Sequence, residues 1–244
     1  MYTFYDYPTE VPRRSCDENN ITIYSIKIEL ILSLEYENFE DIFFKKEYKT
    51  VLKSTRVTYV INLEEDTEPP FKPIYSLSER ELRILRDYLT EKEAIGWIQR
   101  LKSLVGVSIL FVLKLDGLLR LCVDYRALNK VTMKNRYLFP LINELIDRLS
   151  GVKVYIKFDL RDVYHRIRIK KGDEWKTTFR TRYRLWEYVV MSFGLTNTPA
   201  TFQAYINKAL DNLFNTIYIA HMDDICIYSN FIKEYTNYVR QVLE

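Results

Sequence analysis

The chain alternates short apolar runs with charged turns, and the period of each run decides which element it predicts. Residues 21–32, I-T-I-Y-S-I-K-I-E-L-I-L, alternate enough for a strand and leave a helix open. Glu64-Glu65-Asp66-Thr67-Glu68-Pro69-Pro70 then breaks any regular element before F-K-P-I-Y, so 64–76 is expected to be an extended linker. Ser78 with Glu81 three positions on is a capping-box pattern, and Leu82, Leu85, Tyr88 and Leu89 recur on one face. That spacing predicts a helix over about 78–94. Residues 107–114 and 119–125 flank the turn signal Leu115-Asp116-Gly117-Leu118 and predict a β-hairpin. Pro140 at a first-turn position, Leu141, Leu145 and Leu149, and the stop Ser150-Gly151 predict the next helix. After it, V-K-V-Y-I-K-F-D-L predicts a strand ending near Asp159. Thr198-Pro199 opens another helix with the stripe Phe202, Tyr205, Ile206, Ala209 and Leu213. I-Y-I-A, two aspartates and I-C-I-Y-S then read as strand, turn and strand. No repeat interrupts this order, and the mixture of helices and hairpins predicts an α+β fold.

Composition adds size and compartment. At 244 residues and 48% hydrophobic the chain can bury a substantial core as one domain, or one with two lobes. Residues 1–20 are polar, with Pro8 and Pro12, and read as a disordered tail. Residues 21–76 read as a linker-like region before the main domain. The start M-Y-T-F-Y-D-Y-P lacks the basic and apolar segments of a signal peptide, and no apolar run has membrane-spanning length. A soluble intracellular protein, cytoplasmic or nuclear and without a membrane partner, is expected. Cys16, Cys122 and Cys226 are odd in number and far apart, which argues against a disulfide framework and a cysteine zinc site. With only His165 and His221 besides, zinc is not expected.

Charge changes the picture more. The net +3 conceals an uneven distribution: residues 1–99 carry 13 Lys/Arg against 19 Asp/Glu, residues 100–184 carry 20 against 8, and residues 185–244 carry 3 against 6. The basic middle is interleaved with Phe111, Tyr125, Tyr137, Tyr155, Tyr164, Trp175 and Tyr183. Such a block can neutralise phosphates and stack on bases; it can equally be a solvated surface balanced by acidic flanks.

Asp223 and Asp224 fall at the tip of the last strand–turn–strand, and Asp159 at the end of another strand. If those strands are neighbours, three carboxylates converge and offer hard oxygen ligands of the kind Mg²⁺ takes. Two such ions can activate an attacking oxygen and stabilise a leaving one. Asp is also a favoured turn residue, so spacing alone leaves a turn-forming role open.

The motifs shift the balance. L-R-L-C-V-D-Y-R-A-L-N-K (119–130), K-N-R-Y-L-F-P-L-I-N-E-L-I-D-R-L (134–149), K-F-D-L-R-D-V-Y-H-R-I-R-I (157–169), D-E-W-K-T-T-F-R-T-R-Y (173–183), F-G-L-T-N-T-P-A-T-F-Q (193–203) and M-D-D-I-C-I-Y-S (222–229) resemble, in order, the reverse transcriptase of gypsy-type LTR retrotransposons. The resemblance covers the chain from about residue 60 to its end. It implies a right-hand polymerase of interleaved fingers and palm over 77–244, the palm an antiparallel sheet backed by helices. It implies Mg²⁺, with Mn²⁺ as a substitute, and addition of deoxynucleoside triphosphates to a primer on an RNA or DNA template. By the resemblance, Asp159, Asp223 and Asp224 are the catalytic, metal-binding triad. Tyr164 is the aromatic gate beneath the incoming sugar, and Arg120 contacts the triphosphate, as its bidentate geometry suits. Lys114 lies in the basic stretch of the fingers. Asp162 and Val163 fall where backbone amides approach the triphosphate, Phe193 and Gly194 where the palm meets the nascent base pair, and Met222 beside the primer end.

Several positions depart from the family pattern. His221 stands where tyrosine precedes x-D-D. Leu104, Ser108, Leu138 and Ser192 stand in place of proline, Arg184 in place of glycine, and Val105, Val107 and Val163 in place of small residues. Most are reachable by single C-to-T or G-to-A changes, which suggests the hypothesis of a copy decaying under transition-biased mutation; an unbiased spectrum in the coding DNA would remove it. The sequence ends soon after the Asp pair, so no thumb or RNase H domain is expected. Two functions follow: a retrotransposon polymerase fragment, or a catalytically inactive remnant that folds and binds nucleic acid. The oligomeric state is not legible.

Overall fold

A computed structural model describes residues 38–39, 57–101, 103, 105–115, 117–160, 162–210, 213 and 217–243. The tail 1–20 and the run 21–32 lie outside the described residues. The chain enters through β1 (Thr58–Tyr59), α1 (Glu79–Ile95), β2 (Ile98–Leu101), β3 (Ile109–Leu113), β4 (Leu119–Val123) and α2 (Arg126–Val131). Next come α3 (Ile142–Leu149) and β5 (Val154–Asp159), then β6 (Arg168–Ile169), β7 (Phe179–Arg180) and β8 (Leu185–Tyr188). The order closes with α4 (Thr198–Ala209), β9 (Tyr218–His221), β10 (Asp224–Ser229) and α5 (Ile232–Leu243). No helix among the described residues is long and apolar enough to cross a membrane. The chain divides into two compact units, one of residues 1–48, 138–162 and 203–244, the other of 49–137 and 163–202.

In the first unit β5, β10 and β9 form a three-stranded antiparallel sheet in the order β5-β10-β9, with α5 packed on β10 and β5. Period-two alternation organises it. Ile156 and Phe158 of β5 pair with Ile227 and Ile225 of β10, and all four are buried on one face. The intervening pairs Asp159–Asp224, Lys157–Cys226 and Tyr155–Tyr228 therefore share the opposite face. The α3 stripe behaves otherwise: no residue of α3 is buried, and Leu141 serves as its N-cap, so Pro140 precedes the helix and does not open it. In α4 Thr198, Ala200, Phe202, Gln203 and Ile206 are buried, whereas Ala209, expected in the stripe, is exposed.

The second unit holds α1 as predicted. Ser78 Oγ accepts from Glu81 N–H, the Ser78 N–H donates back to Glu81 Oε2 at 2.7 Å, and Gly96 at φ 81° ends the helix. Leu82, Leu85 and Leu89 are its buried stripe. β3 and β4 pair as the expected hairpin, and β2-β8-β7 form a second antiparallel sheet. Residues 57–76 differ from the expected linker. β1 pairs in parallel with β6, Tyr59 and Ile61 are buried, Glu64 N–H donates to Val131 O, and Phe71 bridges Gly106. Burial pushes the Tyr59 phenol up to about 12. The Pro-Pro and acidic run does prevent helix there, but its backbone groups find partners in later parts of the chain, which local sequence cannot signal.

Four of the positions expected to depart from the pattern are accommodated. Ser108 is buried and donates its hydroxyl to Pro73 O; Val107 is buried and its backbone bonds Thr178 and Arg180. Leu138 and Arg184 lie at the surface. Leu104 lies outside the described residues.

Candidate active site

Asp159 and Asp224 are register partners at the end of the β5–β10 ladder, so the backbone holds them side by side. Asp224 also pairs with His221, which leaves Met222 and Asp223 as a two-residue turn. Asp223 O accepts from Leu160 N–H at 2.8 Å, tying the turn to the residue after Asp159. Met222 has φ 55°, a left-handed conformation that a residue with a side chain adopts at a cost of about 1 kcal/mol or more. Gln203, fully buried on α4, secures it: its Oε1 accepts from Met222 N–H at 3.0 Å, and its Nε2 donates to Ala220 O at 3.1 Å. His221 is half-buried at the end of β9, its ring 6.5 Å from that of Phe139.

The side chains do not follow the backbone all the way. Asp224 Oδ2 lies 2.8 Å from Lys157 Nζ, a diagonal neighbour on β5. Among the described residues no three acidic, histidine or cysteine side chains are clustered to hold a metal ion. Strand register brings the backbones of Asp159 and Asp224 side by side with Asp223 in the adjoining turn, while the ion pair turns the Asp224 carboxylate toward an ammonium. The donors themselves are hard, partly exposed oxygens and fit a magnesium ion in kind. Next to this pair, burial pushes the Cys226 thiol up to about 12, with Lys157 opposing and Asp224 adding to the shift.

The remaining candidates mostly lie in the second unit. Arg120 is exposed on β4 opposite Val112, with its guanidinium 4.7 Å from the Phe193 ring centre. Phe193, 42% exposed, meets Tyr164 edge-on at 4.8 Å; Tyr164 is buried and also meets Phe202 at 5.0 Å. Arg120, Phe193 and Tyr164 therefore form one stack, open at the arginine and closed at the tyrosine. Gly194 has φ 90°, and its carbonyl accepts from Asn129 Nδ2 at 2.7 Å while Asn129 Oδ1 accepts from Thr196 N–H. Lys114 is exposed at the tip of the β3–β4 hairpin, and Val163 begins a short 3₁₀ turn over Val163–Arg166. Asp162, counted with the first unit, has φ 54°. Of the aromatics expected to stack on bases, Tyr125 and Tyr164 are buried, whereas Trp175 and Tyr183 are exposed.

Sequence reading assigned no role to Gln203, Asn129 or Lys157. Gln203 follows the apolar stripe residue Phe202, a polar residue beside a buried face and the one signal available; Asn129 lies in a helix that is half polar and carried none. Lys157 carried none, because its partner is set by strand register.

The family described as reverse transcriptase (RNA-dependent DNA polymerase) matches residues 112–244. The Transposon Tf2-3 polyprotein of Schizosaccharomyces pombe is 31% identical over 98% of this chain, and the Transposon Tf2-7 polyprotein of the same yeast is 30% identical over 98%. This chain spans 19% of the length of each. The crystal structure of a prototype foamy virus protease-reverse transcriptase mutant has a similar fold, with a TM-score of 0.76 over 88% of this chain and 28% of that one at 18% identity. A foamy viral protease-reverse transcriptase in complex with RNA/DNA hybrid gives 0.73 over 90% of this chain and 29% of that one, at 19% identity. Ordered motifs, a carboxylate pair fixed by strand register and these likenesses agree: the chain belongs to the reverse transcriptase family, as a domain of the kind retrotransposon polyproteins carry.

Proposed function

We propose that this chain catalyses template-directed addition of deoxynucleotides to a primer, with Asp159, Asp223 and Asp224 as the acidic centre. The observation that carries this reading is the Asp159–Asp224 register pair, with Asp223 in the turn tied to Leu160. These three would hold Mg²⁺, or Mn²⁺ in its place. When bound, such ions supply Lewis-acid stabilisation of the charge that develops during nucleotidyl transfer. The chain's own residues bind and orient. Arg120 and Lys114 attract the triphosphate, and the backbone at Asp162 and Val163 approaches it. Tyr164, held in place by Phe193 and Phe202, meets the sugar and excludes a 2′-hydroxyl. Phe193 and Gly194 border the nascent pair and Met222 the primer end. The partners are a primed RNA or DNA template and deoxynucleoside triphosphates; an RNA/DNA hybrid and double-stranded DNA occupy structurally similar enzymes. The setting is the cytoplasm or nucleus.

The Lys157–Asp224 ion pair and His221 favour the second reading, an inactive remnant that still folds and binds nucleic acid. Primer extension on a defined RNA template with Mg²⁺ or Mn²⁺ separates the two. Extension that disappears in Asp223→Asn supports the polymerase; absent extension with retained, salt-sensitive binding supports the remnant.

A further inference from the structure

The stack of Arg120 on Phe193 continues into residues without a role so far. Gly96 ends α1 in a left-handed turn, and the chain then buries Trp97, whose N–H donates to Lys92 O at 3.0 Å and whose carbonyl accepts from Val189 N–H at 3.0 Å. His165, from the 3₁₀ turn Val163–Arg166, lies flat on that indole, with ring centres 4.2 Å apart and planes 6° from parallel. It is buried, and its ring also meets Phe193 at 5.6 Å and 67°. Trp97, His165, Phe193 and Arg120 therefore form one continuous series of contacts within the second unit.

The open end of this series needs orienting. Phe193 is partly in solvent, so the angle of its ring is left to the contacts on its buried side. Those contacts come from two consecutive residues, Tyr164 at 79° and His165 at 67°. Tilted ring pairs are favoured because a positive ring edge meets a negative ring face. Arg120 lies over the face of Phe193, so turning that ring turns the surface that carries the guanidinium. Tyr164 is braced by Phe202, and His165 is braced by the indole of Trp97.

We propose that His165 is a positioning residue, its flat stack on Trp97 fixing Phe193 in the orientation from which Arg120 reaches the triphosphate. The inference rests on the triphosphate contact proposed above for Arg120. What His165 supplies is a flat ring: a phenyl group can replace it, and a branched or flexible apolar side chain of similar size cannot. Core packing alone would lower stability and leave the contribution of Arg120 as it is. Coupling between His165 and Arg120 therefore separates positioning from packing.

The test is a double-mutant cycle on the full chain. Affinity for dTTP is read by isothermal titration calorimetry with Mg²⁺ and a dideoxy-terminated primer on its template, so no extension is needed. Arg120→Ala should weaken dTTP binding about tenfold or more, and His165→Leu about fivefold. The double variant should lie within about twofold of Arg120→Ala alone, and His165→Phe should bind as wild type does. Leu85→Ala, which empties a buried site in α1, should lower the melting temperature and leave dTTP affinity unchanged. His165→Met takes the place of the leucine if that variant does not fold. Additive losses, wild-type affinity in the folded leucine or methionine variant, failure of His165→Phe to restore binding, or an equal loss in Leu85→Ala would overturn the inference and leave the role of Arg120 intact. Wild-type affinity in Arg120→Ala, or no dTTP binding by the wild type, would overturn that role and the inference together. Coupled losses in a chain that extends no primer would sink the polymerase reading and support the inference.

Discussion

The sheet that carries Asp159 and Asp224 and the region that carries Arg120, Phe193 and Tyr164 are held by different means. In the first, position is a property of the backbone: ladder register sets the carboxylates side by side, and Gln203 clamps the turn from within. In the second, position depends on side chains: Arg120 rests on Phe193, Phe193 on Tyr164, and Gly194 hangs from Asn129. Backbone register tolerates changes in what a side chain is; a ring stack does not. Loss of function in the sheet should therefore come from removing a charge, and in the stack from removing a shape.

The largest expected effect tests the first half of that contrast. Asp159→Asn and Asp223→Asn should each cut primer extension by ~10³-fold or more while the unfolding midpoint in urea barely moves, because an amide keeps the shape and discards the charge. Extension that survives either change would remove the proposed centre. Next comes the stack. Tyr164→Ala should cost about 3 kcal/mol of stability, since it empties a site between Phe193 and Phe202, and should raise ribonucleotide incorporation by about ten- to a hundredfold. Tyr164→Phe should do neither, and urea titration with competing ATP and dATP in the extension assay reads both effects.

Gln203→Leu sharpens the comparison from the other side. It leaves Met222 N–H and Ala220 O without their buried partner, at about 2 kcal/mol by urea titration, and should slow extension although Gln203 touches no substrate in this proposal. Lys157→Met comes below it. The pair is 60% and 43% exposed, so its strength is limited to about 1 kcal/mol. Freed of the ammonium, Asp224 should lower the Mg²⁺ concentration for half-maximal extension by up to about fivefold, and Mn²⁺ binding followed by its paramagnetic resonance should tighten in parallel. An unchanged metal requirement in both readouts would show that the ion pair does not compete with metal.

The smallest effect is alkaline. The Cys226 thiol is pushed up to about 12 by burial, and the Tyr59 phenol to about 12 for the same reason. Burial also raises Tyr125 and Tyr188. Each group loses its proton more easily in the unfolded chain, so its contribution is whole below the unfolded value, near 8.5 for a thiol and 10 for a phenol, and fades as pH climbs toward the folded one. Three such phenols lie in the second unit, which also contains Trp97, Trp175 and Trp186, all three tryptophans of the chain. Tryptophan emission in urea should therefore show that unit loosening between about pH 10 and 12, and labelling of Cys226 reports the sheet separately.

The two regions were also unequally legible in the sequence. Alternation in V-K-V-Y-I-K-F-D-L and I-C-I-Y-S placed both strands and put the aspartates at their ends, because a period of two is local information. The helix at Glu79–Ile95 was legible down to its cap for the same reason. Residues 57–76 were misread because their partners, Val131, Gly106 and Ile169, lie tens to over a hundred positions away. The α3 stripe was legible as periodicity and not as burial: periodicity says a helix has an apolar face, and nothing local says that a neighbour covers it. The ion pair of Lys157 and the clamp of Gln203 share that limit, since both depend on which residue lies across a strand or a turn.

The alternation along β5 has a consequence for which mutations this sheet can bear. A point change at a buried site such as Val107 or Ser108 acts on its own surroundings and leaves the register of β5 and β10 as it is. A slip of the whole strand is a different event. Sliding β5 by one residue against β10 turns Asp159 toward the apolar face and Phe158 toward water, and every pair in the ladder inverts together. Point changes leave that register in place, and a single slip removes it.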